Sequence, residues 1–306
     1  MSEKILVIGS NGFIGSHLIS KLNNSKNDII CISKNKNKNK NKKIKYYKYD
    51  VFNNYKWMRY IKNNSSIYFL AFNNDLYELE KKLEYIDLIN SFCNKLSNYI
   101  ISRNLKVNLI FTSTVTIYGN NDIRINEKTL DNPSSNYDLA KLIFEKIMLK
   151  NSNSYLKFTS LRLSNIYGTN TTTKQKNRGF LNHMIKYASE NKKITIFGKG
   201  KNLRNFLYID DLISALILTR KKFNKLSGKV IIVCNNQSNN YLECIKILKK
   251  INPTLKYSFV NNKKNRHSIE NRNFVGSNKL FKKLTGWKPR FNLINGIKKT
   301  YKNTYK

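Results

Sequence analysis

A glycine-rich turn near the start of the chain joins a short apolar segment to a helical pattern, and this order constrains the fold more than any other feature of the sequence. The apolar run Lys4–Ile8 precedes Gly9, Gly12 and Gly15, and Ser16–Leu22 continues with apolar residues at helical spacing. Glycines let a backbone turn tightly and approach a pyrophosphate, whose charge is stabilised by N–H groups at a helix N-terminus. This context predicts a dinucleotide site on a parallel α/β sheet, with a plain strand-to-helix turn as the alternative.

A second helical pattern places a tyrosine and a lysine one turn apart. Tyr137 and Lys141 lie after Pro133, in a segment whose apolar residues have helical spacing. A phenol with a pKa near 10 is a poor base at neutral pH, but an ammonium one turn away favours the phenolate. The pair predicts a tyrosine proton shuttle, and a solvated helix face is the alternative because such neighbours are common.

Composition predicts a folded protein with one large or two closely joined domains. The chain has 306 residues, of which 40% are hydrophobic and 12% aromatic. Its net charge of +39 would ordinarily suggest a polyanion partner, yet the lysines are spread along the whole chain, usually beside asparagine. We therefore expect salt-sensitive, nonspecific adsorption to nucleic acid and no specific nucleic-acid partner.

Neither the cysteines nor the histidines have the spacing of a metal site. No C-x-x-C pair is present, and each cysteine lies in a mostly apolar run, where a buried free thiol is the ordinary outcome. The histidines are far apart. No metal is expected. The residues concerned are Cys31, Cys93, Cys234, Cys244, His17, His183 and His267.

The N-terminal residues lead directly into an apolar strand, without the charged head, long apolar middle and small-residue cleavage site of a signal peptide. No apolar run approaches the roughly 18 to 20 residues needed to cross a bilayer. We expect a cytoplasmic protein with no membrane span.

The glycine turn and the Tyr137/Lys141 helix together resemble the extended short-chain dehydrogenases/reductases, the NAD-dependent epimerase/dehydratase family. The similarity is greatest to nucleotide-sugar 4-epimerases such as the UDP-glucose 4-epimerases, and it runs from residue 4 to about residue 298, although the glycines depart from the G-x-G-x-x-G spacing. It implies a Rossmann-type doubly wound parallel sheet with a smaller, discontinuous α/β substrate domain. The implied division is residues 1–168 plus about 206–236 for NAD(P), and about 169–205 plus 237–306 for substrate.

The end of the second predicted strand bears on the choice between NAD and NADP. A carboxylate there would hold the ribose hydroxyls of NAD, but Ser33 and Lys34 follow Asp28–Ile32. A hydroxyl and a cation suit a 2′-phosphate and favour NADP. The lysine/asparagine tract 34–43 is either a surface loop or a further contact to that phosphate.

Further cofactor contacts are implied by the family resemblance. Asp50 matches an aspartate that contacts adenine, and Ile67–Ala71 matches the strand beside the pyrophosphate. The cofactor-binding residues expected in this way are Gly9, Asn11, Gly12, Phe13, Ile14, Gly15, Ser33, Lys34, Asp50, Val51, Leu70, Ala71, Tyr137 and Lys141.

The segment Leu109–Gly119 is predicted to be a strand whose far end is rich in hydroxyl residues. It resembles the family segment in which a Ser or Thr five residues before the glycine hydrogen-bonds the reacting sugar oxygen, which implies Thr114 as a catalytic residue with Tyr137 and Lys141. Threonine is also simply a good strand former. Val115 and Thr116 stand where 4,6-dehydratases place an Asp-Glu pair, so dehydratase activity is not expected.

Besides Thr114, three residues are implied in substrate binding by the resemblance. Arg204 lies in a segment similar to G-D-G-x-x-x-R-D-F-x-Y-V-D-D, whose arginine grips the nucleotide phosphate, although Asn205 replaces an aspartate there. Planar guanidinium donors suit a diphosphate. Asn165 is expected either to contact the diphosphate or to cap a strand-end turn. Arg266 precedes a glycine by the interval at which the family places a phosphate-binding arginine.

Other polar and aromatic residues have two open interpretations. His183 either faces substrate or is a partly buried structural histidine. Asn90 is in register with a family helix asparagine, and a solvent-facing or helix-kinking asparagine is the equal alternative. Trp287 is expected to pack.

The assembled residues predict an NAD(P)-dependent epimerase that transiently oxidises a sugar carbon, C4 of a nucleoside-diphosphate hexose. The alternative is an NADPH-dependent 4-keto-6-deoxy nucleotide-sugar reductase, which Ser33 and Lys34 favour. The third interpretation is a non-enzymatic protein that retained the fold and binds a dinucleotide or a polyanion. The family resemblance also implies a homodimer formed through paired helices, including the helix of Tyr137.

Overall fold

The structure is a computed structural model that describes residues 3–23, 27–35, 44–72, 84–120, 124–169, 179–261 and 272–304. The chain divides into two compact units, each discontinuous in sequence. The first comprises Met1–Ile117, Asn132–Arg162 and Leu216–Ile231, and the second comprises Tyr118–Asp131, Leu163–Ala215 and Ile232–Lys306. The predicted assignment of cofactor and substrate to particular segments stays a prediction.

Strands and helices alternate along the chain. The strands are β1 (Lys4–Ile8), β2 (Asp28–Ser33), β3 (Ile44–Lys48), β4 (Ser65–Phe69), β5 (Val107–Thr114), β6 (Leu156–Leu163), β7 (Asn165–Tyr167), β8 (Ile194–Phe197), β9 (Phe206–Tyr208), β10 (Val230–Val233) and β11 (Tyr257–Val260). The α-helices are α1 (Phe13–Leu22), α2 (Glu84–Ser102), α3 (Asn136–Lys150), α4 (Phe180–Ser189), α5 (Ile209–Lys221), α6 (Phe223–Leu226), α7 (Tyr241–Ile251), α8 (Lys279–Thr285) and α9 (Leu293–Thr304).

A seven-stranded sheet has the order β10-β6-β5-β4-β1-β2-β3. The pairs β1/β2, β2/β3, β1/β4 and β4/β5 are parallel. Because β1 lies between β2 and β4, the direction of strand progression reverses beside β1, and ligands bind at the carboxyl ends of the strands at such a point. The predicted Rossmann-type doubly wound sheet is confirmed.

The hydrophobic pattern explains the burial of the central strands. Ile5 to Ile8 are fully buried, as expected of a parallel strand that is covered on both faces. Helix α3 buries Ala140, Phe144 and Met148, which follow one another at four-residue intervals. The Phe144 ring stacks on Phe111 of β5 with ring centroids 4.1 Å apart, so the helix is fixed against the sheet.

The strand predicted up to Gly119 ends earlier, so this part of the prediction was wrong. β5 stops at Thr114, and Val115–Tyr118 forms a 3₁₀ turn. The backbone N–H of Thr116 donates to Thr114 Oγ1 at 3.2 Å. A threonine side chain that bonds the backbone two residues later turns the chain, and this local bond competes with continuation of the strand.

The second unit contains two small parallel strand pairs, β7/β9 and β8/β11. Helix α7 begins with a capping box, in which Asn240 and Glu243 bond each other's backbone N–H groups. Trp287 is buried and donates from Nε1 to Ser214 Oγ at 2.8 Å, as a packing residue does. Among the residues that the structure describes, no helix combines the length and apolarity needed to cross a membrane.

Candidate active site

The turn between β1 and α1 requires glycine at two positions. Gly9 has φ +88°, and a Cβ there would lie 2.7 Å from the Ala71 nitrogen. A Cβ on Gly15 would lie 2.3 Å from the Gly9 carbonyl oxygen. At Gly12 a Cβ would meet only that oxygen, at 3.2 Å. Close backbone packing therefore fixes Gly9 and Gly15, whereas the approach to Gly12 is open.

This turn has the features that a dinucleotide pyrophosphate needs. Gly12 is the N-cap of α1, and a helix begins with N–H groups that have no partner within the helix. Asn11, Phe13 and Ile14 share the turn, and Leu70 and Ala71 pack against Gly9 from the end of β4. The residues present fit the cradle that the sequence predicted.

The residues expected near adenosine form a polar group at the end of β2. Ser33 Oγ and Asn11 Nδ2 both donate to the Asn35 carbonyl oxygen, at 2.7 and 2.8 Å. Lys34 Nζ lies 3.1 Å from Asp50 Oδ2, so its charge is matched by a carboxylate. Val51 is buried directly after Asp50. Residues 36–43 of the lysine/asparagine tract lie outside the described residues.

Burial and hydrogen bonding act on Asp50 in opposite directions. Partial burial favours the neutral carboxyl, but hydrogen bonds from Lys34 and Asn53 outweigh it and leave the pKa of Asp50 below its ordinary value. Asp50 is therefore ionised at neutral pH and accepts hydrogen bonds.

Lys141 is buried beside the candidate tyrosine. Its Nζ lies 5.3 Å from the Tyr137 ring centroid and donates to the Thr112 carbonyl oxygen at 2.6 Å. The same Nζ lies 4.6 and 4.9 Å from the ring centroids of Phe72 and Phe111. Tyr137 is half-buried and meets Phe72 edge to face. The predicted pairing of a tyrosine and an ammonium on one helix face is present in the geometry.

The environment of Lys141 weakens its hold on a proton. Burial lowers the pKa of Lys141 to about 7, although the negative charges of Glu145 and Asp138 act to raise it. The ammonium is thus present in part of the molecules at neutral pH. Any ligand that donates negative charge or accepts a hydrogen bond here will stabilise its charged form.

Thr114 belongs to a chain of hydroxyl groups. Its Oγ1 lies 2.8 Å from Thr116 Oγ1, and Thr116 in turn donates to Asp138 Oδ1. Asp138 is buried in the first turn of α3, where its N–H donates to Ser135 Oγ at 3.1 Å. Hydrogen bonds through Thr116 therefore connect Thr114, at the end of β5, to the first turn of α3, which also carries Tyr137.

Sequence reasoning missed two groups that support this site. One is Asp138 with Thr116. The other is a buried ion pair in which Arg162 Nη2 lies 2.6 Å from Glu145 Oε2, and Ser160 Oγ donates to Glu145 at 2.7 Å. This pair connects α3 to β6. The only signal in the sequence was the presence of carboxylates on the buried face of a predicted helix.

Two of the substrate residues expected besides Thr114 lie close together in the second unit. Asn165 is on β7, and its N–H donates to the Asn205 carbonyl oxygen at 3.1 Å. Arg204, next to Asn205, is buried, with its guanidinium carbon 5.1 and 5.7 Å from the ring centroids of Phe274 and Tyr241. Arg266 lies outside the described residues.

Asn205 has a structural role in the second unit. Its Nδ2 donates to the carbonyl oxygens of Asn235 and Gln237, and its Oδ1 accepts from the Gly276 N–H at 2.6 Å. An amide supplies both donors and an acceptor, so it can satisfy three backbone groups that a carboxylate could not. This explains how asparagine serves here in place of the aspartate typical of the resembling segment.

His183 and Asn90 contact neighbours on their own helices. The His183 ring centroid lies 3.9 Å from that of Tyr187, and burial and Lys186 lower the pKa of His183, against the opposing effect of Glu190. Asn90 is exposed on α2 and accepts from Asn94 Nδ2 at 3.3 Å. In the described part of the chain, no three His, Cys, Asp or Glu residues are grouped as a metal would require.

Comparison with known proteins identifies relatives along almost the whole chain. A sequence profile of the NAD dependent epimerase/dehydratase family matches residues 5–234. A UDP-glucose 4-epimerase of Lactobacillus helveticus is 27% identical over 96% of this chain and 94% of its own length. A dTDP-D-glucose 4,6-dehydratase of Dictyostelium discoideum is 28% identical over 81% of this chain and 61% of its own length.

Solved structures have the same fold. A UDP-glucose 4-epimerase of Thermotoga maritima, solved with UDP-glucose, superposes with a TM-score of 0.85 at 23% identity and covers 99% of this chain and 98% of its own. A UDP-glucuronic acid 4-epimerase of Bacillus cereus, solved with UDP-glucuronic acid and NAD, gives 0.83 at 22% identity and 99% of both chains. At this identity the likeness shows the fold.

Proposed function

The chain belongs to the NAD dependent epimerase/dehydratase family, and on that premise we propose that it is a nucleotide-sugar 4-epimerase acting on a nucleoside-diphosphate hexose. Family membership confirms the predicted enzyme class, an extended short-chain dehydrogenase/reductase, and the predicted nicotinamide dinucleotide. The observation that carries the proposal is the junction of α3 with β5. There the buried Lys141 ammonium lies beside the half-buried Tyr137 ring and bonds the Thr112 carbonyl oxygen, two residues before the Thr114 hydroxyl.

The glycine-rich turn and its neighbours would hold the dinucleotide. Gly12 and the first turn of α1 would receive the pyrophosphate, and Asp50 would receive the adenine end. When bound, the nicotinamide supplies a reversible acceptor for hydride. The buried ammonium of Lys141 would then hold the adjoining ribose and favour the phenolate of Tyr137.

Tyr137 is the proposed acid and base at the sugar oxygen. As phenolate it accepts the hydroxyl proton while the sugar carbon loses hydride, and as phenol it returns that proton when the carbon regains hydride. Thr114 shares the hydrogen bond to the same oxygen. Epimerisation follows when the ketose presents its other face before hydride returns.

Two residues of the second unit are proposed to bind the substrate diphosphate. Arg204 offers a planar fork of N–H donors, a geometry that fits phosphate oxygens. Asn165 bonds the next residue along the chain, because its N–H donates to the Asn205 carbonyl oxygen. Arg266 is proposed for the same role from the sequence alone.

Residues 115 and 116 favour epimerisation over dehydration. A 4,6-dehydratase needs an acid and a base to expel water, and Val115 and Thr116 cannot supply a carboxylate there. Dehydratases are among the relatives of this chain, so the distinction is a property of these residues and not of the fold.

The second candidate, a 4-keto-6-deoxy nucleotide-sugar reductase that consumes NADPH, is favoured by Ser33 and Lys34. Against it, Lys34 is already 3.1 Å from the Asp50 carboxylate, which would repel a 2′-phosphate placed beside that cation. We therefore favour NAD and the epimerase. The homodimer and the cytoplasmic location stay predictions.

Product analysis tests the proposal. Purified protein is incubated with UDP-glucose or UDP-galactose, and the sugar nucleotides are separated and identified. The proposal expects interconversion without added cofactor when tightly held NAD copurifies, and mass spectrometry identifies that NAD. Protein that leaves the UDP-hexoses unchanged but oxidises NADPH with a 4-keto-6-deoxy sugar nucleotide reverses the order of the two candidates.

A further inference from the structure

The hydroxyl of Thr114 is the first member of a hydrogen-bonded chain that ends on a buried carboxylate. Thr114 Oγ1 and Thr116 Oγ1 are 2.8 Å apart, and Thr116 Oγ1 bonds Asp138 Oδ1. Asp138 is 1% exposed, whereas Thr114 and Thr116 are only half-buried. The chain therefore leads from an accessible hydroxyl to a site that water does not reach freely.

The charge of the carboxylate fixes the direction of every bond in this chain. An ionised carboxylate only accepts hydrogen bonds, so the Thr116 proton points to Asp138. The Thr116 oxygen then accepts the Thr114 proton. The Thr116 N–H also donates to Thr114 Oγ1 at 3.2 Å. A hydroxyl has one proton and two lone pairs, so Thr114 retains one lone pair for a ligand.

This direction distinguishes a sugar alcohol from a ketone. An alcohol can donate its proton to the remaining lone pair of Thr114. A ketone oxygen has no proton, so it would face that lone pair and be repelled. The ketone is accommodated only when the chain reverses and Thr114 donates, and reversal requires a proton on Asp138.

We propose that Thr114, Thr116 and Asp138 form a proton relay, in which Asp138 takes up the proton of the sugar hydroxyl as a second route beside Tyr137. The proposal rests on the proposed oxidation of a nucleotide sugar. As the carbon–hydrogen bond of the alcohol breaks, its electron pair and hydrogen pass to the oxidised nicotinamide. The hydroxyl proton passes to Thr114, the Thr114 proton to Thr116 and the Thr116 proton to Asp138, which leaves a ketone. The return of hydride reverses each transfer.

Asp138 also has an ordinary structural role, which the test must distinguish from proton transfer. An acidic residue in the first turn of a helix stabilises the helix N-terminus. Asp138 also faces the ammonium of Lys141, whose pKa it helps to raise. Loss of either effect would change stability, but it would not change the number of protons that move during turnover.

Two substitutions interrupt the relay at different points. Thr116→Val removes the middle hydroxyl at nearly constant volume, and Asp138→Asn keeps a hydrogen-bond acceptor but cannot hold the proton. We expect each to lower kcat about tenfold, with the dissociation constant for UDP-glucose nearly unchanged. This loss is smaller than the roughly 10²- to 10⁴-fold contribution of a positioned acid–base group because Tyr137 still offers the other route. Thr116→Ser, which keeps the hydroxyl, should restore turnover.

Matched controls change the same chemistry away from the site. Thr159→Val removes a buried hydroxyl that donates to the Lys229 carbonyl oxygen, and Asp28→Asn removes a carboxylate paired with Lys4 and Lys45. Both should keep the wild-type kcat. Thermal unfolding of all variants measures the structural cost separately.

Proton counting and epistasis provide the decisive readouts. In mixtures of light and heavy water, kcat of the wild type should depend non-linearly on the deuterium fraction, and that of Thr116→Val linearly. Tyr137→Phe should retain turnover that falls further in the Tyr137→Phe/Thr116→Val double variant. An infrared band of a protonated carboxyl should appear when the bound sugar is oxidised, and Asp138→Asn should abolish it.

The outcomes separate the relay from the proposed function. Variants that turn over UDP-hexoses at the wild-type rate, or that change only stability, overturn the relay and leave the epimerase intact. If the wild type acts only as a keto-reductase, the same variants are compared in that reaction, where the relay predicts the same loss. Should the Asp138 variant fail to fold, Thr116→Val alone tests the relay. If the wild type does neither reaction, relay and proposed function fall together.

Discussion

The Lys141 ammonium nitrogen lies 5.3 Å from the Tyr137 ring centroid while it donates to the Thr112 carbonyl oxygen at 2.6 Å. Tyrosine and lysine stand one turn apart on α3, and the carbonyl belongs to β5. The hydrogen bond therefore fixes the position of α3 along β5 as well as the position of the cation. A base and its supporting charge are placed by the same packing that buries α3.

Tyr137→Phe should lower turnover of the preferred nucleotide sugar by about 10²- to 10⁴-fold, the usual contribution of a positioned acid–base group. The ring contact with Phe72 survives, so folding and dinucleotide binding should persist. Steady-state kinetics and calorimetric titration with NAD measure these effects. Tyr257→Phe, at an exposed tyrosine of β11, is the control and should match the wild type. Equal turnover in both variants would remove Tyr137 from the mechanism.

Lys141→Met should change how stability depends on pH. The pKa of Lys141 is about 7 in the folded chain against about 10.4 in an unfolded chain. Between these values the unfolded chain holds the extra proton, so folded wild type gains stability as pH rises. Below about pH 7 both states are protonated, and the cost of burying the ammonium is fully present.

Relative to Lys141→Met, the wild type should therefore gain up to about 4 kcal/mol in the free energy of unfolding from about pH 7 to pH 10. Urea unfolding of both proteins across this range measures the difference and cancels the general effect of the high net charge. A constant difference would show that Lys141 is not desolvated.

The two glycines at the start of α1 should respond differently to alanine. Gly15→Ala places a Cβ 2.3 Å from the Gly9 carbonyl oxygen, so the turn must shift and NAD binding should be lost together with stability. Gly12→Ala meets that oxygen at 3.2 Å, at an unstrained φ of −71°, and should fold. Weaker NAD affinity in folded Gly12→Ala would then show that the cofactor lies against Gly12. Unchanged affinity in both variants would place the pyrophosphate elsewhere.

The buried Glu145–Arg162 pair should matter far more than an exposed pair. Glu145→Gln leaves the Arg162 charge buried beside a neutral amide and should cost about 3–5 kcal/mol of unfolding free energy. Asp210→Asn, which breaks the exposed pair with Lys299, should cost at most about 1 kcal/mol. Urea unfolding at one pH compares them. Similar losses of unfolding free energy would mean that water reaches the Glu145–Arg162 pair in the folded protein.

Much of this site follows from local sequence patterns. Helical spacing alone places Tyr137 and Lys141 on one face, and an apolar run bounded by glycines predicts β1 and the turn beside it. These features depend on residues close together in the chain.

Features that depend on tertiary contact were not predictable. Thr116 and Asp138 are 22 residues apart and meet only because α3 packs on the end of β5. Glu145 and Arg162, 17 residues apart, meet across the same helix and β6. The early end of β5 also escaped prediction, because Thr114 has a high strand propensity and its turn-forming hydrogen bond overrides it.

The most direct test of transient oxidation at C4 follows a single hydrogen. UDP-glucose with deuterium at C4 is incubated with the purified protein, and the position of the label in recovered sugar nucleotides is determined by NMR. The proposed mechanism predicts UDP-galactose with deuterium retained at C4, because the hydride that leaves is the one that returns. Label found at C6 or released to water, or no epimer at all, would contradict it.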